Sequence, residues 1–166
     1  MSDRRHVPPA GPPNQRIGTL AYLHVKQAKY QLHHYPEELV TAAAELIHQW
    51  APDPWPQWVT CVPSTHRPEL VEPFAGRLAA ALGLPFQPCV RRVAARPPQK
   101  AMENSAQQAG NVYGAFEVSG DVPALPVLLV DDIADSRWTL TVVGMLLCEA
   151  GAGEVFPFVL AKAVSS

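Results

Sequence analysis

The chain has 166 residues, enough for one domain with a real core. It is 48% hydrophobic and 17% charged, which excludes wholesale disorder. With 13 basic and 15 acidic residues the formal net charge is −2, so any nucleic-acid contact must be local rather than a property of the whole surface.

Cys61, Cys89 and Cys148 are far apart in apolar settings, with neither CxxC nor zinc-finger spacing. They are expected to be buried free thiols in a reducing compartment. No N-terminal segment has the apolar core of a signal peptide, and no run approaches the ~20 apolar residues of a membrane span. The expected location is the cytoplasm, with no membrane contact.

Residues 1–16 are polar, proline-rich and without period, and read as a disordered tail. The rest, 17–166, reads as a single domain with a cover segment at 17–56 and an α/β core at 57–162. His33 and His34 lack convincing ligand spacing and read as a surface pair. Pro36 opens a helix with Glu37 and Glu38 in its first turn, and Leu39, Val40, Ala43, Leu46, Ile47 and Trp50 form its apolar stripe. Pro52, Pro54 and Pro56 end it.

Trp58 to Pro63 reads as a short buried strand, followed by a polar loop, Ser64-Thr65-His66-Arg67-Pro68. A helix runs on through Phe74, Leu78, Ala81 and Leu82 to a stop at Gly83. Pro73 is expected in its first turn, because a deeper proline would cost roughly 3 kcal/mol. Phe86 to Val90 and Val112 to Val118 read as strands. Between them lies a basic segment, Arg91 to Gly110, of the length and composition of a lid or binding loop.

Val127-Leu128-Leu129-Val130 is four apolar β-formers in a row, the signature of a central strand covered on both faces. Asp131 and Asp132 end it. A polar turn follows, then a helix through Thr139, Val143, Leu146, Leu147 and Ala150, with Gly151 as its stop. Val155 to Leu160 is the last strand. Alternation of strand and helix after Pro56 predicts a mostly parallel α/β sheet with right-handed crossovers.

In such sheets ligands sit where strands end and helices begin. Two adjacent acids there can accept hydrogen bonds from the vicinal hydroxyls of a sugar or hold a hydrated Mg²⁺ in an outer shell. The N–H groups of the turn and the hydroxyls of Ser136 and Thr139 can surround a phosphate. Ribose with a 5′-phosphate suits that layout. A P-loop is excluded because no GxxxxGK[ST] exists, and GxGxxG is absent too. A hydrolase or sensor of phosphorylated sugars could use the same acids.

Residues 127–139, Val-Leu-Leu-Val-Asp-Asp-Ile-Ala-Asp-Ser-Arg-Trp-Thr, resemble the ribose-phosphate motif of type I phosphoribosyltransferases. Within that family the chain is similar to the ComF-like proteins linked to DNA uptake. Ala28-Lys29-Tyr30, the Val-Pro loop at 61–68, and Asn111-Val112-Tyr113-Gly114-Ala115-Phe116 resemble further family segments in the same order. The resemblance implies a mostly parallel Rossmann-like sheet flanked by helices, with a small N-terminal helical hood over the acceptor.

It also implies phosphoribosyl pyrophosphate (PRPP) as ligand, Mg²⁺ held through water and PRPP, and transfer of the phosphoribosyl group to a nitrogenous base. Asp131, Asp132, Ala134, Asp135, Ser136, Arg137, Trp138 and Thr139 would hold the ribose phosphate. Ser64, Thr65, His66 and Arg67 would form the pyrophosphate loop. Arg96 and Lys100 would join Asp131 and Asp132 in catalysis, from a loop that closes over the ligand; ordinary loop solubility is the alternative for both cations.

The phosphate loop departs from the family. Asp135-Ser136-Arg137 stands where the family has Thr-Thr-Gly, and is similar to the phosphoribosyltransferase-like domain at the C-terminus of some RecQ-type helicases. A carboxylate about 5 Å from a phosphate charge costs roughly 3 kcal/mol at an effective dielectric near 20, and Arg137 brings an attraction of similar size. Otherwise Asp135 caps the helix and pairs with Arg137. That departure keeps open a non-catalytic module in DNA uptake, recombination or repair. Its partners would be single-stranded DNA or DNA-processing proteins, and a homodimer fits either reading.

Overall fold

The computed structural model describes residues 34–64, 67–93, 114–134 and 137–162. The first element is helix α1, Glu37–Trp50. Pro36 precedes it in an extended conformation, and Glu37 and Glu38 lie against the positive end of the helix. The stripe turns inward as its spacing predicts: Val40, Ala43, Ala44 and Ile47 are buried, with Leu39, Leu46 and Trp50 packed against the same cluster.

Strand β1, Trp58–Cys61, is buried along its whole length. Helix α2, Pro68–Leu82, follows and buries Leu70, Val71, Phe74, Ala75, Leu78 and Ala79. Its first helical residue is Pro68, where a missing N–H costs nothing. Pro73 is therefore in the second turn and not the first. It is exposed, as is Glu69 one turn before, so the carbonyl left without an intrahelical donor can turn to water.

Strand β2, Val90–Arg92, pairs antiparallel with β3, Phe116–Val118, as a two-stranded ribbon separate from the main sheet. The strand expected over 86–90 is thus displaced. Phe86 makes a single parallel bridge to Val59, and no longer pairing forms there. Pro85 and Pro88 flank that bridge and carry no N–H with which to extend it.

Strand β4, Val127–Ala134, lies between β1 and β5, Val155–Lys162, in a parallel sheet of order β1-β4-β5. Its register runs Trp58↔Val127 to Cys61↔Val130 on one side and Val127↔Val155 to Ala134↔Lys162 on the other. Helix α3, Arg137–Glu149, connects β4 to β5.

The sheet separates two hydrophobic clusters, and β4 feeds both by strand alternation. Leu128 and Val130 join α1, α2 and the inward residues Phe156, Phe158 and Leu160 of β5. Val127 and Leu129 join Val143 and Leu147 of α3 together with Val90 and Phe116 of the ribbon. All four of these β4 residues are fully buried, which explains the uninterrupted apolar run. No helix among the described residues is long and apolar enough to cross a membrane.

Candidate functional site

The acid pair does not follow the central strand; it is inside it. Asp131 pairs with Val159, and the ladder continues through Ile133↔Ala161 and Ala134↔Lys162. The apolar run Val127 to Val130 marks only the first half of β4. Backbone pairing with β5 carries the strand past it.

Successive strand residues face opposite sides of a sheet. Asp132 therefore falls on the side of Leu128 and Val130, and Asp131 on that of Val127 and Leu129. The two carboxylates lie on opposite faces of β4, in its C-terminal half, so a ligand that meets both must reach around that end of the strand. The Asp131 carboxylate folds forward along the chain, and its Oδ1 accepts the Asp132 N–H at 2.8 Å.

Both acids are buried, with 7% and 4% of their surface exposed. Carboxylates so buried need hydrogen-bond donors. One comes from a residue that the sequence did not mark: the Tyr35 hydroxyl donates to Asp132 Oδ2 at 3.1 Å, across 97 positions of chain. Tyr35 is fully buried and meets Phe74 of α2 edge-on, with centroids 5.5 Å apart. Burial first, then the charge of Asp132 and the bond to it, hold the phenol well above its usual pKa, and Asp131 adds to the effect. The phenol stays protonated and remains a donor. The local signal for Tyr35 was only its place before Pro36, which favours extended backbone.

The loop after β1 reaches the same end of the sheet. Val62 continues the pairing, its N–H donating to the Val130 carbonyl at 2.9 Å, and Ser64 to Arg67 lead from there into α2. Ser64 Oγ accepts the Arg67 N–H at 3.2 Å, and the Arg67 guanidinium lies 3.4 Å from Glu69 Oε1. Trp138 and Thr139 are half-buried in the first turn of α3, beyond the end of β4. Ser64, Arg67, Asp131, Asp132, Trp138 and Thr139 thus belong to one end of the sheet. Thr65, His66, Arg96, Lys100, Asp135 and Ser136 lie outside the described residues. Ala134 and Arg137 are placed by their backbone alone, as the end of β4 and the start of α3.

The ribbon ends with Val93 beside Ala115: the Val93 N–H donates to the Ala115 carbonyl at 3.0 Å. Arg91 is bound to Glu117, its partner in register, at 3.0 Å, and the Arg92 guanidinium stands 5.1 Å from the centroid of the Phe116 ring. Among the described residues no group of three or more His, Cys, Asp or Glu could hold a metal ion. Two carboxylates supply hard oxygen donors suited to Mg²⁺, but too few for a cage made by the protein alone. They fit an ion held through water and a phosphorylated ligand.

Cys61 is next to the site on β1. Burial, with the charges of Glu72 and Asp131 and then Cys89 adding, pushes its thiol up to about 12. Burial raises Cys89 as well, against the opposing contact of its sulfur with Thr60 Oγ1 at 3.6 Å. Neither is a nucleophile at neutral pH. Cys148, expected to be buried, is exposed in the last turn of α3; none of the three is in a disulfide.

No family model matches the chain, and no curated protein matches it. Solved structures do. Adenine phosphoribosyltransferase from Saccharomyces cerevisiae, complexed with an imino-altritol bisphosphate and adenine, is 22% identical with a TM-score of 0.54, over 80% of this chain and 69% of that one. A further adenine phosphoribosyltransferase is 22% identical with a TM-score of 0.55, over 80% and 70%. A hypothetical protein from Neisseria gonorrhoeae with bound ppGpp is 16% identical with a TM-score of 0.51, over 78% and 68%. The allosteric regulatory enzyme of purine biosynthesis is 20% identical with a TM-score of 0.51; the match covers 77% of this chain and only 26% of that enzyme. The chain has the type I phosphoribosyltransferase fold.

Proposed function

We propose that the chain binds PRPP at the C-terminal end of β4 and transfers its phosphoribosyl group to a nitrogenous base, as a ComF-like member of the type I phosphoribosyltransferases. The observation that carries this reading is the buried acid pair Asp131–Asp132 on the central strand of that fold. Buried carboxylates in the C-terminal half of a central strand that leads into a helix suit a ligand that offers hydroxyls to the acids and a phosphate to the helix. Asp131 and Asp132 accept the ribose hydroxyls. The loop that begins α3, with Asp135, Ser136, Arg137, Trp138 and Thr139, takes the 5′-phosphate, and Ser64 to Arg67 take the pyrophosphate. Mg²⁺ supplies charge neutralisation of the pyrophosphate when bound. Arg96 and Lys100 reach the leaving pyrophosphate from segment 94–113 and exclude water.

Calorimetry with PRPP and Mg²⁺ tests the reading. Wild type is expected to bind and Asp131→Asn/Asp132→Asn to lose binding. No heat with wild type, or equal binding by the double variant, overturns it. Pyrophosphate release that requires an added nitrogenous base establishes the transfer.

One feature of the sequence favours a second reading. Asp135 places a carboxylate in the phosphate loop, as in the helicase domains that this loop is similar to. On this reading the fold serves as a module that binds nucleic acid during DNA uptake, recombination or repair. A salt-dependent complex with single-stranded DNA, lost in Arg91→Ala/Arg92→Ala, would support it. Arg91 is already engaged by Glu117, which weakens that surface and leaves PRPP as the leading ligand.

A further inference from the structure

We infer that Tyr35 is a positioning residue of the acid pair, holding the Asp132 carboxylate in the orientation that receives the hydroxyl of the sugar. The inference rests on the reading of Asp131 and Asp132 as the ribose site.

An aspartate has two side-chain torsions, and the second is broad and soft. A carboxylate that must meet a ligand in one orientation needs a donor to fix it. The Tyr35 hydroxyl is one such donor, bound to Oδ2 at 3.1 Å. It takes one of the roughly four acceptor positions of the carboxylate and fixes the direction of the others.

Tyr35 is itself pinned. Its ring is fully buried with its neighbour Phe74 edge-on, at an interplanar angle of 82°. Its carbonyl accepts from Arg77 Nη2, and Pro36 restricts its backbone from the other side. The depressed acidity of the phenol keeps the proton on its oxygen through the neutral range. A residue fixed in this way does not behave as a removable plug. A plug would have to leave the core for the ligand to enter, and its removal would tighten binding. A positioning residue gives the opposite sign.

The test is calorimetry on Tyr35→Phe, which keeps the ring and removes the hydroxyl. PRPP and inorganic pyrophosphate are titrated separately with Mg²⁺. PRPP affinity is expected to fall about tenfold, the loss of one hydrogen bond to a charged group, while pyrophosphate affinity changes less than about twofold. A general loosening of the fold would weaken both ligands alike. Arg77→Met, which releases the backbone of Tyr35 but keeps its hydroxyl, is expected to move PRPP the same way by less, and serves if Tyr35→Phe fails to fold. Unchanged or tighter PRPP binding in a folded Tyr35→Phe overturns the role of Tyr35 alone, provided that Asp131→Asn/Asp132→Asn still abolishes binding. Absence of PRPP binding by wild type overturns both this role and the ribose site.

Discussion

Gly153 lies so close to Leu125 that a Cβ on it would stand 2.7 Å from the Leu125 carbonyl carbon and 2.8 Å from the Pro126 nitrogen. The Gly153 N–H donates to the Leu125 carbonyl at 3.1 Å, and Trp58 Nε1 donates to the same oxygen at 3.0 Å. The entries to β1, β4 and β5 are thereby tied at the edge of the sheet opposite the acids. Backbone cannot rotate away as a flexible side chain can, so Gly153→Ala must displace one of these entries. The expected loss is about 1–3 kcal/mol, read as a lower denaturation midpoint in urea with an unchanged slope. A loss under about 0.5 kcal/mol, the range of neutral surface changes, would contradict the close approach.

Ala51 ends α1 in the left-handed region, at φ 48° and ψ 61°, with its N–H on the Ile47 carbonyl. A Cβ there costs about 1–2 kcal/mol, and the side chain is exposed, so its removal sacrifices little packing. Glycine returns roughly 0.4–1 kcal/mol of that through the freedom of the unfolded chain. Ala51→Gly is expected to gain the difference, about 0.5–1 kcal/mol, as a higher thermal midpoint. Ala51→Val should move the midpoint down.

The sequence disclosed those parts of the site that depend on local pattern. The run 127–130 marked a strand because both of its faces are buried, and the stripe of α1 marked a helix because one face is. What it could not disclose depends on contacts distant in the chain. Nothing near Asp131 says that β5 pairs alongside and draws both acids into the sheet. Nothing near Tyr35 says that a strand 97 positions on will bring Asp132 to its hydroxyl. Pro73 falls a turn later than expected because Pro68 already supplies the helix start. Cys148 misled because apolar neighbours in sequence do not fix which side of a helix faces out; Met145, one turn earlier, is also half exposed.

The buried thiol beside the acids should shape the alkaline limb of stability. Cys61 holds its proton more tightly folded, at about 12, than at its ordinary value of 9.0. The stability this confers is complete below pH 9 and is lost as pH rises towards 12, because the unfolded chain releases the proton first. One such group contributes a slope of up to about 1.4 kcal/mol per pH unit across that window. Cys89 and Tyr35 are raised by burial too and steepen the same limb. In Cys61→Ala the unfolding free energy should fall less steeply between pH 9 and 11 than in wild type, whatever the offset from the lost sulfur. Parallel slopes would show that Cys61 ionises with equal ease in both states.

Arg77 joins α2 to the start of α1 by two bonds of unequal worth. Nη1 meets Glu37 Oε2 at 3.1 Å, and Nη2 donates to the Tyr35 carbonyl. Glu37 is 71% exposed, so water and salt screen the ion pair, and such pairs contribute about 0.2–1 kcal/mol. The carbonyl belongs to a fully buried residue, and loss of its charged donor costs about 1–3 kcal/mol. Arg77→Met keeps the aliphatic stem and should cost several times more than Glu37→Gln. High salt should erase the Glu37→Gln effect and leave most of the Arg77→Met effect standing. Equal costs in urea denaturation would mean that the ion pair, and not the carbonyl, is what Arg77 contributes. Tyr35 would then be aimed at Asp132 by its ring packing against Phe74 alone.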